Sequence, residues 1–315
     1  MQICKKTILF SLVSLCFFIS GFFFAFGQLF FQVLVPLPII ICVYLLGVRK
    51  GFLCFFIMVS SVYLIFQNHF SAVLSMHLGL LGLITGVIVS NKFSFIKTSV
   101  LSTVILSLIS LLAILVISLH NENFLNEIYV NLQIQMNKVL KIYEKADISE
   151  EKIKLVKESF NTGLNILKTS FPAIIFIINF LIVSINLFFS KKILSLKRLK
   201  SAPFKTWRPK DECIWAFIIF ALMTFLFQYV KFQSGYLIGL NLLIIVLAVY
   251  LVGGLAITNF FFDRWKVSSF IKVSIYVLAF MQPIFLMLII ILGLVDFWFD
   301  FRGRALQKSK GKHLK

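Results

Sequence analysis

The chain has 315 residues, of which 60% are hydrophobic, 14% are charged and 38 are phenylalanine. That composition lies far from the averages of water-soluble domains and excludes a soluble enzyme or soluble binding module. The net charge of +19, from 31 Lys and Arg against 12 Asp and Glu, would suggest nucleic acid in a soluble protein. Here it reads as the basic bias of cytoplasmic loops.

Every charge can be placed in a loop, a tail or a helix end. Between the charges lie about nine apolar runs, at 7–26, 30–48, 51–67, 70–90, 98–119, 170–190, 213–230, 236–258 and 272–295. Each is near the ~20 residues that cross a ~30 Å hydrocarbon slab at ~1.5 Å per residue. The expected fold class is all-α, a polytopic helical membrane protein with about 8–9 transmembrane segments and one extracytoplasmic helical hairpin. Lys5 and Lys6 ahead of the first run resemble a signal peptide. Leu15 before Cys16 is too large for lipoprotein cleavage, however, and a second run follows at once, so the run reads as a retained span.

Four regions follow. Residues 1–119 form an N-terminal membrane domain of about five spans. Residues 120–169 carry seven basic and seven acidic residues and two apolar stripes at helical spacing. One stripe runs Leu125, Ile128, Tyr129, Leu132, Met136, Val139, Leu140 and Tyr143; the other runs Ile153, Val156, Phe160, Leu164 and Leu167. Asp147 with Glu150 resembles a capping box between them. This is the amphipathic hairpin, read as a solvated connector or as a lid that docks a partner. Residues 170–299 form a C-terminal membrane domain of three to four spans. Its loop 191–212 holds eight basic residues, Lys191, Lys192, Lys197, Arg198, Lys200, Lys205, Arg208 and Lys210. Residues 300–315 are a basic tail.

The positive-inside rule places the N-terminus in the cytoplasm of an inner membrane, and it agrees with each loop up to the last span. A ninth full crossing would put the basic tail outside. The alternative is a re-entrant last segment broken at Gln282-Pro283, since proline frees a helix carbonyl and kinks the chain. Charge favours that second course, with a cytoplasmic tail.

The spans hold no evident acid, lysine or arginine of the kind that carries a coupling ion in pumps. No phosphate-binding glycine loop, zinc-protease helix or nucleophile elbow occurs. The five cysteines lack metal or disulfide spacing, so no metal, no cofactor and no enzymatic activity are expected. What remains is a set of intramembrane polar residues: His77, Asn179, Asn186, Asn241 and Gln282. Asn179 and Asn186 are seven apart and share a helix face. Such groups are most often interhelical glue, at ~0.6–2 kcal/mol each. The alternative is a midplane pocket for an uncharged polar solute, which amides and a neutral imidazole recognise without a permanently buried ion. Gly21-x-x-x-Ala25, Gly82-x-x-x-Gly86 and Gly235-x-x-x-Gly239 are close-packing signals. Gly21 and Ala25 are the candidate partner-docking pair, with packing inside the chain as the default.

Three strings in the second half carry a resemblance. They are Phe204-Lys205-Thr206-Trp207-Arg208-Pro209, then Gly253-Gly254-Leu255-Ala256-Ile257 leading into Phe260 to Trp265, and Gly293-Leu294-Val295-Asp296-Phe297-Trp298-Phe299-Asp300-Phe301-Arg302. Together they resemble the YybS-like family of uncharacterised bacterial multi-pass membrane proteins. That architecture is similar to the substrate-binding S components of energy-coupling-factor transporters and to the rod-shape protein MreD. The resemblance implies a non-enzymatic solute-binding or transport-associated subunit in the lipid bilayer, working with an ATP-driven coupling complex and not with nucleic acid. The second implied role is an envelope or morphogenesis scaffold like MreD. The 120–169 hairpin departs from a compact S component.

Overall fold

The computed structural model describes residues 2–23, 27–91, 93–120, 130, 133–134, 136–138, 140–141, 149–196 and 204–305. Among the described residues the regular structure is helical throughout, in α1 (Gln2–Phe23), α2 (Gly27–Leu34), α3 (Pro36–Leu46), α4 (Val48–Phe66), α5 (His69–Ser90), α6 (Phe95–His120), α7 (Glu150–Ile193), α8 (Glu212–Tyr229), α9 (Gln233–Arg264), α10 (Ser269–Met281) and α11 (Pro283–Phe299). Seven of these helices are long and apolar enough to cross a membrane, or eight if the bent pair α10–α11 counts as one span. Ala25, residues 197–203, residues 306–315 and most of the first hairpin arm, Asp147 included, lie outside the described residues.

Two compact units divide the chain: residues 1–166 with 174–201, and residues 167–173 with 202–315.

The first unit is built around α3. The expected span 30–48 is broken instead into α2 and α3, because Pro36 and Pro38 supply no backbone N–H to the ladder. Pro36 is tolerated at the start of α3, where its N–H would be unpaired anyway. Residues Pro36 to Val43 of α3 are all buried, so this helix is a core element and not a lipid-facing span. Phe18, Cys54, Phe55, Met58, Leu78 and Leu83 surround it. Glycines on α5 admit the neighbours. A Cβ at Gly82 would stand 2.9 Å from that of Ile39, and one at Gly86 would stand 2.7 Å from that of Val43. The turn into α4 needs Gly47, whose φ of 87° with ψ of 165° lies where only glycine is at ease.

The break between α2 and α3 leaves carbonyls to be satisfied in an apolar setting. The Ser14 hydroxyl donates to the Val35 carbonyl, and the Asn186 amide donates to that of Val33 (2.7 Å). At the other end of the unit the second hairpin arm and the span at 170–190 prove to be one helix. α7 runs for 44 residues with Pro172 inside it, about 66 Å at 1.5 Å per residue. The shift from charged to apolar sequence near 169 does not interrupt it, because Lys, Glu and Leu favour helix on either side of that shift.

In the second unit α8 and α9 pack antiparallel through small residues, Gly235 against Phe227 and Gly239 against Thr224. α9 crosses α11 where Gly254 meets the Ile289 carbonyl and Gly293 meets that of Tyr250. α10 and α11 bend by 106° at Gln282–Pro283. Lys272, in the first turn of α10, pairs with Asp263 at the end of α9 (2.5 Å). Arg264 donates to the Ala305 carbonyl beyond α11 (2.6 Å). Both ends of the bent pair are therefore tied to the same end of α9.

Candidate functional site

His77 lies half-buried on α5, a helix whose buried residues are glycine, leucine, small hydroxyl residues, Ile88 and Val89. Its Nε2 is 3.0 Å from Oδ1 of Asn179 on α7, and its Nδ1 is 3.3 Å from the Ser110 hydroxyl on α6. The Asn179 amide nitrogen donates to the Ser107 hydroxyl (3.1 Å). That contact turns the amide oxygen toward the ring. A neutral imidazole then carries its proton on Nε2, leaving Nδ1 to accept from Ser110. The Ser110 hydroxyl also reaches the Leu106 carbonyl (2.8 Å), so its single proton has two acceptors to choose between. Asn179 and Ser107 are 1% and 4% exposed. The cluster joins three helices, carries no formal charge in this state, and presents both donors and acceptors.

His77 and Asn179 are thus brought together from positions far apart in sequence, and the other predicted polar residues have separate tasks. Asn186, two turns further along α7, donates to Val33 and to the Ile182 carbonyl (2.7 Å) and braces the α2–α3 break. Asn241, on α9, serves the proline in α7. Its oxygen accepts from the Ala173 N–H (2.9 Å), and its nitrogen donates to the Thr169 carbonyl (2.9 Å). Those are the two groups that an unbroken helix would join to each other. The amide is spliced into the backbone ladder at Pro172. Gln282 is exposed at the bend, where its carbonyl accepts the first N–H groups of α11 (3.1 Å from Phe285). Gly21 is covered from inside the unit by the Gln32 side chain.

Residues on α6 went unremarked in the sequence. Of the six described buried residues on that helix, five carry hydroxyls: Thr98, Ser99, Ser102, Thr103 and Ser107. The sixth is Leu106, and most of its other leucine, isoleucine and valine side chains are exposed. The three- and four-residue spacing of these hydroxyls was the available signal.

The resemblance strings converge in the second unit. Asp296 on α11 is paired with Arg302 (2.8 Å) and accepts from the Phe301 N–H (3.0 Å). Arg302 donates to the carbonyls of Trp207 (2.8 Å) and Lys205 (3.3 Å). Arg208 donates to those of Phe297 (3.3 Å) and Asp296 (3.4 Å), and Pro209 packs on Gly253. The sequence placed Asp296 and Arg302 outside the bilayer core. They do occupy a helix end and the segment after it, but they are buried by protein, at 2% and 8% exposure.

These features define a polytopic helical membrane protein with an uncharged polar cluster among its helices. The chain belongs to the DUF2232 family of predicted membrane proteins, which it matches over residues 12–297. No significant match is found among curated proteins or solved structures.

Proposed function

We propose that the protein is a non-enzymatic, transport-associated membrane subunit that binds a small uncharged polar solute between α5, α6 and α7. The observation that carries this reading is the His77–Asn179–Ser107–Ser110 cluster, a set of donors and acceptors with no fixed charge in which Asn179 and Ser107 are buried and His77 and Ser110 half-buried. A site of that chemistry holds hydroxyls or amides of a solute without the desolvation cost of an ion. It supplies no step that consumes energy, so the reading includes a partner ATPase, as in the S components that the sequence resembles. The N-terminus and the basic ends of the helices are placed in the cytoplasm by the positive-inside rule.

The test is retention of a native ligand. Wild-type protein and Asn179→Leu are purified into lipid nanodiscs and denatured, and the released small molecules are identified by mass spectrometry. A polar solute near one per wild-type chain, lost from a monodisperse Asn179→Leu, is the expected result. Release of nothing but lipid from the wild type, or equal release from both, overturns the reading.

A further inference from the structure

In the second unit a small cleft opens between the segment that leads into α8 and the crossing of α9 with α11. Exposed Arg208 and Lys210 form its rim, Pro209 and Gly293 its walls, and buried Tyr250 and Asp296 its floor. Counted out to its open mouth it holds about 200 Å³, and its enclosed part has room for one water-sized group.

Tyr250 is 2% exposed, and its ring packs edge-on against Phe217 (6.3 Å between centroids). The hydroxyl end lies toward Asp211 and Cys213, beside Lys210, and makes no hydrogen bond with a described residue. A buried phenol usually has a partner, so this donor points to a bound group in the cleft. Asp296, the acid on the floor, is already engaged at both oxygens, by the Phe301 N–H and by Arg302. Lys210 forms no ion pair with a described residue. Arg208 commits only Nη2, to the carbonyls of Phe297 and Asp296 at 3.3 and 3.4 Å, which is long for such bonds. Its Nη1 is 3.8 Å from exposed Asp300, a surface pair of little strength.

The surroundings say where the bound group comes from. Residues 204–212, 263–272 and 296–305 hold eight basic and five acidic residues, a net +3 at this end of the unit. Trp265 and Trp298 are exposed there, and tryptophan concentrates at the level of lipid headgroups. We propose that the cleft binds the phosphate of an anionic phospholipid. One phosphoryl oxygen fills the enclosed part and accepts from the Tyr250 hydroxyl, and the others face Arg208 and Lys210. A guanidinium and an ammonium suit a phosphodiester. A choline headgroup would bring a third cation to the same rim, whereas a glycerol headgroup would not. The inference concerns the second unit alone and does not depend on the His77 site.

Native mass spectrometry of monodisperse protein from neutral detergent counts bound lipid during titration with phosphatidylglycerol or phosphatidylcholine. The first phosphatidylglycerol is expected to bind about ten-fold more tightly than phosphatidylcholine. Tyr250→Phe removes only the hydroxyl and should weaken that binding about ten-fold, as loss of a hydrogen bond to a charged group does. Lys210→Gln should weaken it at least two-fold, while Lys266→Gln, at an exposed lysine of the same end, should leave it unchanged. Equal affinity for the two lipids overturns the site, and so does wild-type binding by Tyr250→Phe. Equal losses in Lys210→Gln and Lys266→Gln would mean diffuse attraction to charge and overturn it too. Displacement of the lipid by millimolar inorganic phosphate would assign the cleft to free phosphate and overturn the lipid as its occupant.

Discussion

Replacing Arg302 by methionine removes the positive partner of a carboxylate that is 2% exposed. Asp296 would keep only the Phe301 N–H, and the carbonyls of Trp207 and Lys205 would lose their donor. Breaking a buried ion pair from one side costs about 3–5 kcal/mol, because an uncompensated charge remains in the interior. Asp296→Asn is milder, about 1–3 kcal/mol, because the guanidinium retains two carbonyl acceptors and the amide keeps the Phe301 bond. The double variant Asp296→Leu/Arg302→Met removes both charges, and apolar replacement of a buried pair is often close to neutral. It should therefore be more stable than Arg302→Met alone. Equilibrium unfolding in mixed detergent micelles, followed by tryptophan fluorescence, reports on this region through Trp207 and Trp298. Strictly additive losses would refute the reasoning, since they would mean that the two charges do not feel each other.

Two further outcomes are expected. Asn241→Leu removes the acceptor of the Ala173 N–H and one donor to the Thr169 carbonyl and should cost about 1–3 kcal/mol. Pro172→Ala in the same background should restore part of that loss by letting the ladder close, and the same unfolding assay decides. For topology, Asn137→Cys should be labelled by an impermeant reagent from outside intact cells and Lys210→Cys should not. A reporter that works only in the cytoplasm, fused after Lys315, should be active, whereas an active periplasmic reporter there would show that the last segment crosses.

The membrane class was legible because bilayer thickness imposes a length on apolar runs that the placement of charge then confirms. The enclosure of the helix at 36–46 was not legible, because a lipid-facing face and a core-facing face are alike in composition. Only Pro36 and Pro38 hinted at the break. The continuity of α7 was hidden by a change in polarity near 169, which marks a change of surroundings and not of backbone. His77 and Asn179 could be named individually as candidates, but their pairing depends on helix packing across more than a hundred residues, and no local pattern encodes that. Asn241 had no visible purpose until Pro172 stood beside it. The hydroxyls of α6 were readable by spacing alone. The strings around Arg208, Gly254 and Asp296 carried the resemblance before there was any reason for them. Their common reason is that they hold one another.

The enclosure of α3 bears on how the chain enters its membrane. As the nascent chain leaves the ribosome, this short apolar helix emerges before α4 and α5, which supply Cys54, Phe55, Met58, Leu78 and Leu83 of its final surroundings. Lipid can shelter it in the interval but cannot give it its final contacts. Those form only when the glycine face of α5 arrives to receive Ile39 and Val43. The enclosure of α3 is therefore completed only after synthesis of residue 90, when α5 is available to close over it.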